Sequence, residues 1–157
     1  MATPIFDQVT RRQVLLERYK ADELRRLDAF LREMDRALRE RLGRATTTDF
    51  QRGRIERLLA DIELTMEAVQ APYQRDLFGR MEALGVHEAA TEARMLTGGS
   101  FEAAVPSPEQ VRAAVLSSPL SARGAGGGML LEPFVAEWAQ ADRERVVGAI
   151  RRGAFEG

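Results

Sequence analysis

The 157-residue chain contains no cysteine, which excludes a disulfide framework and any thiolate metal site. Aromatic residues make up only 6% of it, against 30% charged. That balance suits long solvated helices better than a large globular core. Histidine and lysine occur once each, as His87 and Lys20. No run approaches the ~18 consecutive apolar residues of a membrane span, and the start shows neither the basic segment nor the apolar stretch of a signal peptide. The expectation is a soluble protein that is not exported and has no membrane partner.

Charge is balanced, at 23 basic against 24 acidic groups. Residues 1–43 hold ten basic and eight acidic side chains, 44–97 seven and nine, and 98–157 six and seven. No segment concentrates the positive field that nucleic-acid binding needs, which argues against a specific nucleic-acid partner. Arginine supplies nearly all the positive charge, a pattern that a GC-rich genome explains without phosphate recognition.

What the chain does have is helical periodicity. One apolar stripe runs Leu24, Leu27, Leu31, Met34, Leu38, Leu42 and a second runs Ile55, Leu59, Ile62, Met66, Val69, Tyr73, Leu77, Met81, Leu84. Steps of three and four place each set on one side of a helix. The polar link Gly43 to Thr47 predicts that the two helices fold back as an antiparallel hairpin. Thr3 with Pro4 at the first helical position marks the start of the first helix, and Gly43 is the expected C′ residue. Acid-before-base pairs at i,i+4 (Asp22/Arg26, Asp28/Arg32, Asp35/Arg39, Glu40/Arg44) support its solvated face.

Thr48 and Gln51 form a capping box for the second helix, which should run to about Leu96 before Gly98-Gly99. Pro72 predicts a kink rather than a break, since the stripe resumes in phase after it. Gly85 is a second weak point. A short helix capped by Ser107, with Pro108 and Gln110, follows the loop 98–106. The stretch Ser117 to Gly128, rich in Gly, Ser and Ala, reads as a flexible connector. An amphipathic helix over about 130–152 carries Leu131, Phe134, Val135, Trp138, Val146 and Ile150.

The predicted class is all-α: a long antiparallel hairpin with a kinked second helix, a short helix, a Gly-rich linker and a C-terminal amphipathic helix. Its divisions are a hairpin arm (1–97), a loop, short helix and linker (98–129), and the C-terminal helix (130–157).

Candidate chemistry is sparse. His87 has Glu88 and Glu92 nearby, but offsets of one and five do not share a helix face, a poor metal set. The glycines at 124–128 lack a preceding strand and a following Lys-Ser/Thr, so they are a linker and not a phosphate loop. No carboxylate pair sits in an apolar setting that would shift its pKa. No catalytic, cofactor or metal residue is nominated, and no cofactor is expected. Phe134 and Trp138, one turn apart in an aromatic-poor chain, are either the seed of a small core or a partner-binding anchor. With Val146 and Ile150 they are the candidate partner-binding residues. Val14, Leu15, Tyr19 and Phe30 lie off the first stripe and would give a self-associating coiled-coil adaptor its second seam. A small helical enzyme would instead need a concave pocket, which a two-helix rod seldom forms.

The order of elements resembles a known family. The hairpin RRQVLLERYKADELRRLDAFLREMDRAL … FQRGRIERLLADIELTMEAVQAPYQRDL is followed by HEAATEARML, PSPEQVRAAVLSSPL and LLEPFVAEWAQADRERVVGAIRRGAFEG. This is similar to the N-terminal part of tailed-bacteriophage head morphogenesis proteins, the minor capsid proteins of the phage Mu F type. Trp138, Arg143 and Arg145, Ile150, Arg152-Gly153 and Gly157 resemble the helix and Gly-x-x-x-Gly step leading into that family's next domain, so the resemblance implies that residues 130–157 lead to a domain missing or truncated here. The resemblance implies a structural virion role: docking on the portal protein, and on the major capsid protein as a second partner. It implies a location at the portal vertex inside the capsid, with assembly in the host cytoplasm.

Overall fold

Thirty-nine consecutive residues, Ile5–Gly43, form α1, and α2 follows as Ile55–Gly98. Two shorter helices complete the chain, α3 at Pro108–Ser117 and α4 at Leu131–Glu156. The computed structural model describes residues 5–45, 54–98, 103–120 and 128–156. Of these, 89% are helical and none is in a strand, so the all-α class is as expected. The expected caps at Thr3/Pro4 and Thr48/Gln51, and most of the Gly-rich connector, lie outside the described residues.

The chain divides into two compact units, residues 1–28 with 77–131 and residues 29–76 with 132–157. In the first unit α1 and α2 run antiparallel: Arg12 pairs with Glu88 and Glu92, and Glu23 further along α1 pairs with Arg80. α3 is set on α2 by Val111, which is buried, and by an Arg112–Glu82 ion pair at 3.7 Å. The capping box is as expected: the Gln110 amide donates to the Ser107 hydroxyl at 3.3 Å, and the Ser107 amide to the Gln110 side chain at 2.8 Å. Two first-turn amides are thereby satisfied where Pro108 supplies none. After α3, Leu120 and Met129 share backbone bonds. The Leu120 amide donates to Met129 at 2.8 Å, and the Gly128 amide donates to Leu120 at 3.0 Å. Gly128 takes φ +82°, a left-handed conformation that favours glycine.

The second unit is also antiparallel, with Phe30 of α1 on Tyr73 of α2 and Arg41 on Asp61. Its core holds Met34, Ile55, Leu58, Leu59, Ile62 and Met66, closed by Val135, Ala139 and Val147 of α4. Ile150 and Ala154 pack on the cluster Ile55, Leu59 and Val147.

Three expectations need correction. Leu24 and Leu31 were assigned to the inner stripe of α1, yet they are 67% and 51% exposed. The inner face is carried by Tyr19, Glu23, Leu27, Phe30 and Met34: Leu27 and Met34 of the expected stripe are kept, while Leu24 and Leu31 give way to Glu23 and Phe30, each one residue or about 100° round the helix. Glu23 sits inside because Arg80 meets it there, and a stripe drawn through apolar residues alone misses it. Phe30, expected on an exposed second seam, is buried for the same reason, and Tyr19 is half-buried. Gly43 is the last helical residue and not a left-handed C′ residue. The turn closes instead by Ala45 donating to the Leu42 carbonyl at 3.0 Å.

α2 is continuous through Pro72. Pro72 leaves the Ala68 carbonyl without its helical donor, but both residues are exposed, so that oxygen lies on the solvent side. Gly85 is a point of close approach rather than of weakness. A Cβ there would stand 2.9 Å from Val111 Cγ1 and 3.1 Å from Val115 Cγ2. β-Branched side chains in a helix have few rotamers in which to retreat. Gly85→Ala sets a propensity gain of up to ~1 kcal/mol against overpacking of ~1–3 kcal/mol, so a net loss of about 1 kcal/mol is expected in chemical denaturation. Gly79→Ala has nothing within 4 Å. It should gain ~0.5–1 kcal/mol, and shifts of the same sign would contradict the close α2–α3 contact.

Candidate docking surfaces

α4 turns Leu131, Val135 and Ala139 inward at helical spacing, all buried. Pro133 falls in the first turn, where a missing N–H costs nothing. Trp138 stands beside that face in the second unit and tilts against Phe30, centroids 6.0 Å apart at 53°. Phe30 in turn stacks on Tyr73 at 4.3 Å and 25°. Three of the chain's few aromatic residues are thus gathered in one group. Of the four candidate partner-binding residues, Trp138, Val146 and Ile150 are half-buried, and Phe134 is the most open at 37% exposed. Ile150 is engaged with the Ile55–Leu59–Val147 cluster.

A polar joint on the same helix escaped the sequence reading. Gln70 is almost fully buried; its amide donates to the Ala139 carbonyl at 3.4 Å, and its oxygen accepts from Arg143 Nη1 at 2.6 Å. Arg143 Nη2 donates to Gln140 at 2.8 Å. A buried amide must find partners on both ends, so this joint fixes α4 in one register on α2. The only signal for it in the sequence is a glutamine four residues after Met66 on an otherwise apolar stripe. At the end of α4, Arg151 reaches Glu56 at 3.1 Å on the surface.

In the first unit, α1 and α2 flank two adjoining open hollows of about 430 and 450 Å³ that share Leu15 and His87. The first is bounded by Arg11, Arg12, Arg94 and Met95; the second by Arg18, Tyr19, Arg80 and Leu84. Arg12 Nε donates to Glu88 at 2.6 Å and Nη2 to Glu92 at 2.7 Å. The bond to Glu88 is the main cause that holds its guanidinium above the usual arginine range. Burial pushes the Tyr19 hydroxyl up, and that oxygen is buried without a hydrogen-bond partner, as is Glu88 Oε1. His87 is exposed and lines both hollows. Among the described residues no group of three His, Asp or Glu is placed to hold a metal ion, and no helix is long and apolar enough to cross a membrane.

Pairing across the helices, as in Arg12 with Glu88 or Glu23 with Arg80, could not be found from periodicity, because each partner is solvated in the one-helix view. No protein-family model, no curated protein and no solved structure matches this chain.

Proposed function

We propose that this chain is a structural protein of tailed-phage head assembly, a minor capsid component that docks on the portal vertex or the inner capsid and carries out no chemistry. Two things support the reading: the resemblance in the order of elements, and an all-α architecture whose helices leave large apolar side chains on the surface. The observation that carries it is Phe134. α4 is anchored from below by Val135, Ala139 and Val147 and fixed in register by Gln70, yet it leaves a phenylalanine 37% exposed next to Trp138. A preorganised helix with an open aromatic is an economical docking element, since little side-chain order remains to be imposed on binding. In this account the portal protein is the partner and the major capsid protein the second candidate. The protein resides in the virion and meets its partners in the host cytoplasm.

Phe134→Ala is expected to leave helix content unchanged while lowering incorporation into heads about tenfold, an anchor loss of ~1.4 kcal/mol or more. Trp138→Ala serves as comparison, because it also removes the contact to Phe30 and should lower stability as well. Unchanged incorporation of the Phe134 variant would remove α4 as the anchor.

A further inference from the structure

Charge around the two hollows of the first unit is not evenly matched. Three of their arginines are already neutralised: Arg11 by Asp7, Arg12 by Glu88 and Glu92, and Arg80 by Glu23. Asp22, the acidic residue of the lining, is taken by Arg25 at 2.8 Å. Arg18 and Arg94 remain. Among the described residues Arg18 has no carboxylate within ion-pair distance, and Arg94 makes only a 3.0 Å bond to the Thr91 hydroxyl. Both are exposed, one on each helix, and apolar surface from Leu15, Leu84 and Met95 lies in the lining with them.

We infer that this groove receives an acidic amphipathic segment of a partner protein, an apolar side chain seated at Leu15 with a carboxylate toward Arg18 and another toward Arg94. Charge complementarity selects that occupant. Because Arg12 is met by two carboxylates, the lining and its ion-pair partners sum to a single positive charge, and that excess is carried by the exposed Arg18 and Arg94 beside the apolar seam. Arginine's planar fork suits a carboxylate in two-point contact. Two free cations are too few for a nucleic-acid backbone, whose binding rests on many phosphate contacts. The groove belongs to the first unit and the Phe134 surface to the second, so this inference stands or falls independently of the docking role of α4.

The test uses the full chain and a set of labelled helical peptides, each with a leucine pair flanked by two glutamates at varied spacing. A matching set carries glutamine in place of glutamate. Fluorescence anisotropy should find glutamate peptides that bind, with the glutamine counterparts about tenfold weaker and the affinity falling as salt is raised. Arg18→Gln with Arg94→Gln should erase the preference for glutamate, while Arg39→Gln, which pairs with Asp35 in the second unit, should leave it. Circular dichroism on each variant separates lost binding from lost fold. Equal binding of glutamate and glutamine peptides would overturn the inference, as would indifference to the Arg18/Arg94 change or no binding by any peptide. Capture of phosphatidylglycerol vesicles that depends on Arg18 and Arg94, without peptide binding, would overturn it in favour of a lipid surface.

Discussion

Ile62→Ala is expected to lower the free energy of unfolding by ~3–4 kcal/mol and the thermal midpoint by about 10 °C. Ile62 is 0% exposed in the second unit, whose buried residues include Leu58, Leu59 and Met66 of its own helix and Met34 of α1. The change deletes three buried carbon atoms and leaves a void. The neighbours are side chains of two long helices, which cannot collapse inward without breaking backbone hydrogen bonds, so the cavity persists. Leu64→Ala, two residues along the same helix, is the control. Leu64 is 64% exposed, so its loss should stay within ~0.5 kcal/mol. Thermal and urea denaturation of the two variants checks this directly. A similar loss for both would mean that α2 does not present Ile62 to the core.

Arg80→Ala is the second large effect, at about 2–3 kcal/mol. Arg80 Nε and Nη2 donate to the two oxygens of Glu23 at 2.7 and 3.1 Å, with side chains only 15% and 20% exposed. Removing the guanidinium leaves a half-buried carboxylate whose other ion-pair partner among the described residues is Arg26, at 4.0 Å. The cost falls below the ~3–5 kcal/mol of a fully buried pair because some water still reaches it. Asp35–Arg39 shows why geometry alone does not set the magnitude. It is as short, at 2.8 Å, but its side chains are 61% and 78% exposed. Arg39→Ala should therefore cost no more than ~0.3–0.5 kcal/mol. Replacing Glu23 and Arg80 together by leucine should recover most of the loss, since no half-buried carboxylate is then left at position 23 without its guanidinium. Failure to recover would show that the pair holds α1 and α2 by more than charge.

These two variants also mark how far the sequence could be read. The stripe Ile55 to Leu84 was legible because apolar residues at three- and four-residue steps carry it without interruption, and Ile62 lies in its middle. The cap at Ser107 was legible because its hydrogen bonds are local and involve residues three apart. The inner face of α1 was not, because Glu23 and Arg12 occupy it and their partners Arg80, Glu88 and Glu92 come from a helix more than fifty residues away. Periodicity counts hydrophobicity, so a face built partly of charge pairs is drawn through Leu24 and Leu31 where Glu23 and Phe30 stand inside, although Leu27 and Met34 are placed correctly. Gln70 was hidden likewise, since its need for a partner appears only once Ala139 and Arg143 are beside it. At the candidate site, the sequence picked out Phe134 and Trp138 from their rarity. It could not tell that Trp138 leans on Phe30 while Phe134 stays open.

The docking role is tested most directly by cross-linking the tagged chain in the cells that make it and identifying attached peptides by mass spectrometry. With one lysine against 24 acidic residues, a carboxylate-reactive linker is the effective reagent. Cross-links from Glu137 or Glu144 of α4 to a ring-forming portal or major capsid protein are the predicted result. Cross-links only between copies of the chain itself, as a dimer or larger oligomer, would contradict the virion role and make the protein a self-associating helical adaptor.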